Sequence, residues 1–113
     1  MIGVHLIIDG VMEHSVGESE IERLLCELPS KIDMNILAGP YVVEGAPNNP
    51  GWTGFVIIDK SHIAIHTFDE GGLISIDVFS CKPFEANVAL YYIRSQIALT
   101  KVNSQFLTRT ETS

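Results

Sequence analysis

Apolar residues occupy every second position along several short segments of the chain, which is the pattern of half-buried β-strands. The opening segment MIGVHLIID shows it, and Gly10 ends the run. Five more strands are predicted, in DMNILAGPYVVEG, TGFVIID, HIAIHTF, LISIDVFSC and KVNSQFLTR, of which TGFVIID is a continuous apolar run rather than an alternation. We expect the first of these five to be bulged near Gly39-Pro40, and we expect Asp59 to Ser61 to form a tight turn between two strands.

A helical period replaces this alternation in SVGESEIERLLCELPS, where apolar residues recur at spacings of three and four. We expect a capping box at its start, formed by Ser15 with Glu18 or by Ser19 with Glu22, and we expect Pro29 to end the helix. The stripe consists of Ile21, Leu24, Leu25 and Leu28.

A second helix is predicted in PFEANVALYYIRSQIAL, with Pro83 in its first turn. The resulting order is β-α-β-β-β-β-α-β. Strands joined by short connections pair antiparallel, so the pattern predicts an α+β two-layer sandwich, mainly antiparallel, with both helices on one face of the sheet. The other face then needs cover, and a homodimer is the expected solution. No repeat or linker interrupts the pattern, so residues 1–113 are expected to form a single domain.

Composition narrows the class of protein. The chain has 113 residues and a net charge of −7, which argues against nucleic acid as a partner because phosphate backbones need a basic surface. No apolar run reaches the length of a membrane span and no export signal is recognisable, so we expect no membrane association. Cys26 and Cys81 do not make a disulfide framework, which favours a reduced, cytoplasmic protein. No CxxC or HExxH motif supports a metal site.

Chemistry-bearing residues crowd into IIDKSHIAIHTFDE, residues 57–70. One interpretation is structural, with His62 and His66 on the wet face of a strand, Phe68 in the core and the following DEGG in a hairpin turn. The other is functional, with Ser61, His66 and Cys81 meeting at one end of the sheet for nucleophilic and acid–base chemistry. A Ser-His-Asp hydrolase is possible on composition, but no GxSxG motif supports it.

The segments KSHIAIHTFDE and ISIDVFSC resemble the small prokaryotic S-adenosylmethionine decarboxylase proenzymes. That family carries ESHxxIHTWPE followed by a strand like IDxFTCG, and its start, GxHL, is similar to GVHL in this chain. The combination of SHxxIHT with IDxFxC is specific because it places rare residues at fixed spacing. The specific part of the resemblance runs from Thr53 to Cys81.

The resemblance implies a self-cleaving proenzyme. Ser61 would attack the carbonyl of Lys60, and loss of the serine α-hydrogen would break the chain into a β chain, residues 1–60, and an α chain, residues 61–113. The new terminus would carry a covalent pyruvoyl group formed from Ser61. This group would form a Schiff base with the substrate amine and act as the electron sink for decarboxylation.

The family also implies roles for further residues. His66 matches the base that removes the α-hydrogen, and Thr53 matches a serine that assists processing. Cys81 matches the residue that protonates the substrate carbon after CO₂ leaves. Phe68 falls where the family has a tryptophan that stacks on adenine, and Glu70 matches the carboxylate that holds the ribose hydroxyls.

The chain departs from the family at the adenine site. Where the family has a second stacking aromatic, this chain has Pro47 and Asn48, and Tyr41 and Trp52 are the candidates to replace it. Other family residues are substituted near the processing and catalytic positions. Lys60 replaces a glutamate, Phe68-Asp69 replaces Trp-Pro and Lys82 replaces a glycine.

Three hypotheses for the function follow. The first is decarboxylation of S-adenosylmethionine, which supplies the aminopropyl donor for polyamine (spermidine) synthesis. The second is a pyruvoyl-dependent arginine or ornithine decarboxylase, in which Asp69 and Glu70 would bind the basic side chain of the substrate. The third is an uncleaved, non-catalytic relative that binds a ligand or regulates a partner subunit.

Overall fold

The computed structural model describes residues 1–112. Within them, six strands and two α-helices follow one another in the order that the sequence predicts. A short 3-10 turn, Glu70–Gly72, joins the fourth strand to the fifth. The elements are β1 (Gly3–Met12), α1 (Glu18–Lys31), β2 (Ile36–Glu44), β3 (Trp52–Ile58), β4 (Ser61–Phe68), β5 (Leu73–Ser80), α2 (Ala86–Gln96) and β6 (Leu99–Arg109).

The strands form one antiparallel sheet in the order β2-β3-β4-β5-β1-β6. Successive hairpins build β2 to β5, and β1 and β6 add to the β5 edge. The register of β2 against β3 shifts on both sides of Ala38, which confirms the predicted irregularity beside Gly39-Pro40. The two-residue turn between β3 and β4 confirms the predicted tight junction, since Ile58 pairs with Ser61.

The hydrophobic core lies between one face of the sheet and both helices. The apolar stripe of α1 is completely buried, and Ala89, Tyr92 and Ile93 bring α2 into the same core. The sheet contributes alternate residues of each central strand, such as Ile63 and Ile65 of β4. This arrangement confirms the α+β sandwich with two helices on one face.

The opposite face of the sheet, called the open face below, carries no helix within residues 1–112. It combines polar side chains with large apolar ones that remain partly exposed. Phe55 is 36% exposed, Ile57 38% and Leu107 43%. These fractions leave a mixed apolar surface without the cover that the sequence pattern requires.

The predicted start of α1 is wrong. The helix begins after Gly17, and the Glu20 side chain accepts a hydrogen bond from the Gly17 backbone N–H at 3.1 Å. Glycine has no side-chain oxygen, so only the reciprocal half of a capping box forms. Neither predicted serine pair, Ser15 with Glu18 or Ser19 with Glu22, caps the helix.

The two predicted proline positions are also wrong. Pro29 lies inside the last turn of α1, which continues to Lys31, and the Ile32 N–H donates to the Pro29 carbonyl. A proline this close to the end removes one helical hydrogen bond without ending the helix at once. Pro83 precedes α2 rather than opening it, because the helix begins at Ala86.

Candidate active site

A strained turn lies between β3 and β4. Lys60 has a φ of 53°, which is the left-handed region that a residue with a Cβ rarely adopts. Ser61 follows at once as the first residue of β4 and is only 5% exposed. The peptide bond between these two residues therefore joins a left-handed residue to a buried hydroxyl.

The Ser61 hydroxyl is held by two backbone groups. Its Oγ donates to the carbonyl of Asp59 at 2.9 Å and accepts from the backbone N–H of Cys81 at 2.8 Å. The Cys81 thiol in turn donates to the same Asp59 carbonyl at 3.3 Å. The structure thus brings Ser61 and Cys81 together, as the sequence predicts. Both side chains donate to the Asp59 carbonyl oxygen, which the sequence does not predict.

Thr53 and His66 form a second pair on the open face. They are direct cross-strand partners on β3 and β4, and Thr53 Oγ1 lies 3.0 Å from His66 Nδ1. His66 is half-buried and also pairs in register with Ser75 of β5. A threonine hydroxyl in this position fixes the orientation of the imidazole ring, which a proton-transferring histidine needs.

These two clusters do not meet within one chain. Five residues of extended strand separate Ser61 from His66, a distance of about 16 Å along β4. An odd separation also places the two side chains on opposite faces, Ser61 toward the core and His66 toward the open face. The expectation that Ser61, His66 and Cys81 gather at one end of the sheet is therefore wrong for a single chain.

The predicted adenine-site residues Phe68 and Glu70 line a shallow pocket at the end of β4. The volume of the pocket is about 410 Å³. The Phe68 side chain, which lines it, is 37% exposed to solvent. The preceding loop is fixed there because the Trp52 N–H donates to Thr67 Oγ1 at 2.9 Å, and the Asp69 N–H donates to the Pro50 carbonyl at 3.0 Å. The lining consists of Asn48, Asn49, Pro50, Phe68, Glu70, Gly71 and Leu73.

No second aromatic residue joins this pocket within the part of the chain that the structure describes. Trp52 packs against the hydrophobic core, and Tyr41 lies opposite Phe55 on β2. Both proposed replacements for the missing stacking residue are therefore wrong within one chain. Asn48 and Asn49 line the pocket instead, and their carboxamides offer hydrogen bonds rather than a ring face.

An aromatic and charged cluster that the sequence does not predict lies at the centre of the open face. His62 stacks on Phe55, with ring centroids 5.4 Å apart, and its ring is tilted against that of Phe79, with centroids 5.6 Å apart. On the other side of Phe79, the His5 ring of β1 makes an edge contact with the Phe79 ring, with centroids 6.1 Å apart, and His5 Nε2 lies 3.0 Å from Asp77 Oδ1. The alternation of β1, β3, β4 and β5 places all of these residues off the core face, and the sequence predicts this much, although it does not predict which of these strands are adjacent.

The electrostatics of this cluster disfavour a charged His62. Burial lowers the pKa of the His62 imidazole below its ordinary value, and the positive charges of His5 and Arg109 add to that lowering. The Asp77 carboxylate opposes them by raising the same pKa. The net lowering favours the neutral, stacked form of His62.

Residues 1–112 contain no group of three histidine, cysteine, aspartate or glutamate side chains placed to bind a metal. None of the helices in that range is long and apolar enough to cross a bilayer.

The sequence is similar to those of known S-adenosylmethionine decarboxylases. The sequence model of S-adenosylmethionine decarboxylase matches residues 5–110. An S-adenosylmethionine decarboxylase proenzyme of Archaeoglobus fulgidus is 35% identical over 83 residues, or 72% of each chain. One from Clostridium botulinum is 32% identical over 111 residues, covering 95% of this chain and 93% of the relative.

The fold has a counterpart among solved structures. The crystal structure of the adenosylmethionine decarboxylase from Aquifex aeolicus superimposes with a TM-score of 0.76 at 28% identity, covering 99% of this chain and 96% of that one. Sequence and fold therefore agree over nearly the whole chain. This chain belongs to the S-adenosylmethionine decarboxylase family.

Proposed function

We propose that this chain is a proenzyme that cleaves itself between Lys60 and Ser61 and then decarboxylates S-adenosylmethionine for polyamine synthesis. The single observation that carries the proposal is the junction of β3 and β4. There a left-handed residue precedes a buried serine whose hydroxyl contacts the Cys81 backbone. Membership of the family supports the reaction class. The products of cleavage are residues 1–60 and residues 61–113.

Cleavage uses the Ser61 hydroxyl as the nucleophile. Its oxygen attacks the Lys60 carbonyl carbon, and the acyl group moves from nitrogen to oxygen to give an ester. Removal of the Ser61 α-hydrogen then expels the Lys60 carboxylate, and hydrolysis of the resulting enamine releases ammonia and leaves a pyruvoyl group on residue 61. Strain at Lys60 favours the first step because it destabilises the intact amide.

The α-hydrogen requires a base, and we assign that role to His66, oriented by Thr53. The two lie too far from Ser61 in the same chain, so a second copy must supply them. Two chains that pack open face to open face about a two-fold axis can bring the His66 end of one β4 to the Ser61 end of the other. The uncovered apolar residues of the open face support such a homodimer.

Once formed, the pyruvoyl group would supply an electron-withdrawing carbonyl to the substrate amine. The residues around it do the remaining work. Cys81, whose thiol already lies beside the Ser61 turn, donates a proton to the substrate carbon after CO₂ leaves. Phe68 covers one face of the adenine, and Glu70 accepts hydrogen bonds from the ribose hydroxyls.

A basic amino acid remains the second candidate substrate, because one specific observation favours it. The pocket beside Phe68 lacks a second aromatic ring among its lining residues and carries the Glu70 carboxylate, with Asp69 adjacent in sequence. A guanidinium or ammonium group would pair with these carboxylates. Arginine and ornithine are therefore tested beside S-adenosylmethionine.

Denaturing mass spectrometry of the purified protein tests cleavage. We expect two chains split after Lys60, with the downstream chain blocked at its amino end. Ser61→Ala should remain one inactive chain, whereas the control Ser104→Ala, on the exposed face of β6, should cleave like the wild type. A wild-type chain that stays whole on long incubation would contradict the proposal and favour the uncleaved, non-catalytic relative.

Release of CO₂ from each of the three substrates, labelled at the carboxyl carbon, then identifies the substrate. We expect S-adenosylmethionine to be used with the highest kcat/KM. Phe68→Ala should raise KM for S-adenosylmethionine by about tenfold or more, the factor expected for the loss of one base–aromatic stack. Faster release from arginine or ornithine would transfer the assignment to the second candidate.

A further inference from the structure

Ser80, the last residue of β5, is tied to the turn that carries Cys81. Its side chain is fully buried, and its Oγ donates to the Lys82 carbonyl at 2.6 Å and accepts from the Lys82 N–H at 3.2 Å. One hydroxyl therefore bridges both backbone polar groups of the residue that follows Cys81. This closes a small ring around Cys81 and restricts its backbone.

The backbone of strand β1 packs closely against the same turn. A Cβ placed on Gly3 would lie 2.2 Å from the Ser80 carbonyl oxygen and 3.2 Å from the Cys81 Cα. Only a glycine permits so close an approach. The turn is thus enclosed by β1 on one side and by the Ser80 bridge on the other.

The other two contacts of Cys81 are changed by the proposed cleavage. Its N–H donates to Ser61 Oγ, and its thiol donates to the Asp59 carbonyl. Cleavage moves the Ser61 oxygen onto the new carboxylate of Lys60 and leaves Asp59 one residue from a free chain end. The bridge from Ser80 to Lys82 lies wholly within residues 61–113, so the reaction leaves it intact.

We propose that Ser80 is a positioning residue, which holds the Cys81 thiol toward the substrate carbon once the chain has been cut. The inference rests on the proposed function, in which Cys81 is the proton donor. In the processed enzyme, the Ser80 hydroxyl fixes the position of the Cys81 thiol, and the contacts to Ser61 and Asp59 do not.

A misplaced thiol has a chemical consequence. After CO₂ leaves, a proton from water can reach the α-carbon of residue 61 instead of the substrate carbon. Hydrolysis with one water molecule then releases the substrate as an aldehyde and leaves its nitrogen on residue 61, which becomes alanine. The enzyme is inactivated in the process, and the amino end of the downstream chain is no longer blocked.

The test compares Ser80→Ala with the wild type by sequencing the downstream chain from its amino end after a counted number of turnovers. We expect the fraction of turnovers that yield alanine to rise about tenfold, the factor for one lost hydrogen bond at a buried group. Ser80→Thr keeps the hydroxyl and should restore the wild-type fraction. Ser95→Ala is the control, since the Ser95 hydroxyl donates to the Tyr92 carbonyl at the same 2.6 Å but lies on α2.

A second readout does not depend on catalysis. Cys26 is exposed on α1 and serves as an internal reference for alkylation of Cys81 by iodoacetamide. In the cleaved protein, we expect Ser80→Ala to raise the ratio of the Cys81 alkylation rate to the Cys26 alkylation rate several fold, because a freed turn exposes the thiol more often. If Ser80→Ala does not fold, Ser80→Thr and Ser80→Val, which match in shape and differ in the hydroxyl, are compared by the same two readouts.

The two proposals fail in different ways. A wild-type chain that does not cleave overturns both proposals, because the role of Ser80 is defined for the processed enzyme. A chain that cleaves but releases no CO₂ from any of the three substrates overturns the proposed decarboxylation alone, since the alkylation ratio of the cleaved protein still tests the role of Ser80. An active wild type whose alanine fraction and alkylation ratio are unchanged by Ser80→Ala overturns the positioning role alone.

Discussion

Lys60 is the residue at which backbone strain and the proposed chemistry coincide. Its positive φ costs roughly 1 to 2 kcal/mol for a residue with a Cβ. The flanking strands enforce that conformation, because Ile58 and Ser61 pair directly and leave only two residues for the turn. Cutting the bond after Lys60 releases the strain, so part of the barrier to cleavage is offset in the intact chain.

Replacing Lys60 tests this contribution. Lys60→Gly adopts the same φ without cost, so we expect the intact chain to be more stable and to cleave about tenfold more slowly than Lys60→Ala, which keeps the Cβ. The measurement is a time course of cleavage by freshly synthesised chains, followed on denaturing gels. Equal rates for the two variants would show that the conformation of Lys60 does not assist the reaction.

The motif spacing predicts the contact between Ser61 and Cys81, but only in outline. Alternation places both at the ends of adjacent strands, and the structure joins them. The carbonyl of Asp59, which accepts from both side chains, could not be predicted because every residue has a carbonyl and only the turn geometry aims this one. Side-chain identity therefore locates the site, while backbone conformation decides what its atoms touch.

Helices and strands were predicted well where a long periodic pattern decides them, and poorly where one hydrogen bond does. The four-residue apolar stripe identified α1, yet its start depends on Glu20 reaching back to the Gly17 N–H. The central cluster is hard to predict for another reason. His5 and His62 come to lie on opposite sides of Phe79 only because β1 pairs with β5, and these two strands are far apart in sequence.

Because these strands pair, the free energy of unfolding is expected to depend on pH through the protonation of His62. The groups facing it are His5 on β1, Asp77 on β5 and Arg109 on β6, and the net effect with burial is a lowered pKa. The unfolded chain therefore binds a proton at His62 near pH 6.5, whereas the folded chain does so only at lower pH. The stability is fully present above that value and is lost as the pH falls from about 6.5 toward the folded-state pKa.

Urea unfolding of the uncut Ser61→Ala chain measures the effect at about pH 7.5 and about pH 5.5, on either side of the ordinary histidine value. We expect a lower midpoint at the acidic pH, and a smaller drop when His62→Gln is added. The exposed His14 provides a control, since His14→Gln should leave the drop unchanged. A drop of the same size with and without His62 would assign the pH dependence to other groups.

At the scale of the whole molecule, the proposed homodimer would explain two features, namely the uncovered open face and the separation of the site residues within one chain. One chain holds Ser61 and Cys81 toward the core at one end of β4, and Thr53 and His66 on the open face near the other end. Strand alternation accounts for the separation of Ser61 from His66, because side chains an odd number of residues apart on a strand point to opposite faces of the sheet. The sequence motif places Ser61 and His66 five positions apart along the chain, and it does not indicate whether they act within one copy or between two.

A mixed dimer distinguishes catalysis within one chain from catalysis between two. Ser61→Ala keeps His66 but has no nucleophile, and His66→Ala keeps the nucleophile but has no base, so each should remain uncut when expressed alone. Co-expressed with different tags, they form heterodimers in which one complete site is restored. We expect the His66→Ala chain to be cut after Lys60 in those heterodimers, and the Ser61→Ala chain to stay whole.

The controls for the mixed dimer are internal to the design. A His66→Ala chain paired with the double variant Ser61→Ala/His66→Ala has no base in either copy and should stay uncut. Hydroxylamine should cleave any such chain that has stalled at the ester, which shows that the nucleophile is competent and only the base is missing. If heterodimers form, as captured through both tags, and the His66→Ala chain nonetheless remains uncut, then His66 does not act across the interface. The open face would then need another explanation for its uncovered apolar residues, and the base would have to be sought among the groups that surround Ser61 in its own chain.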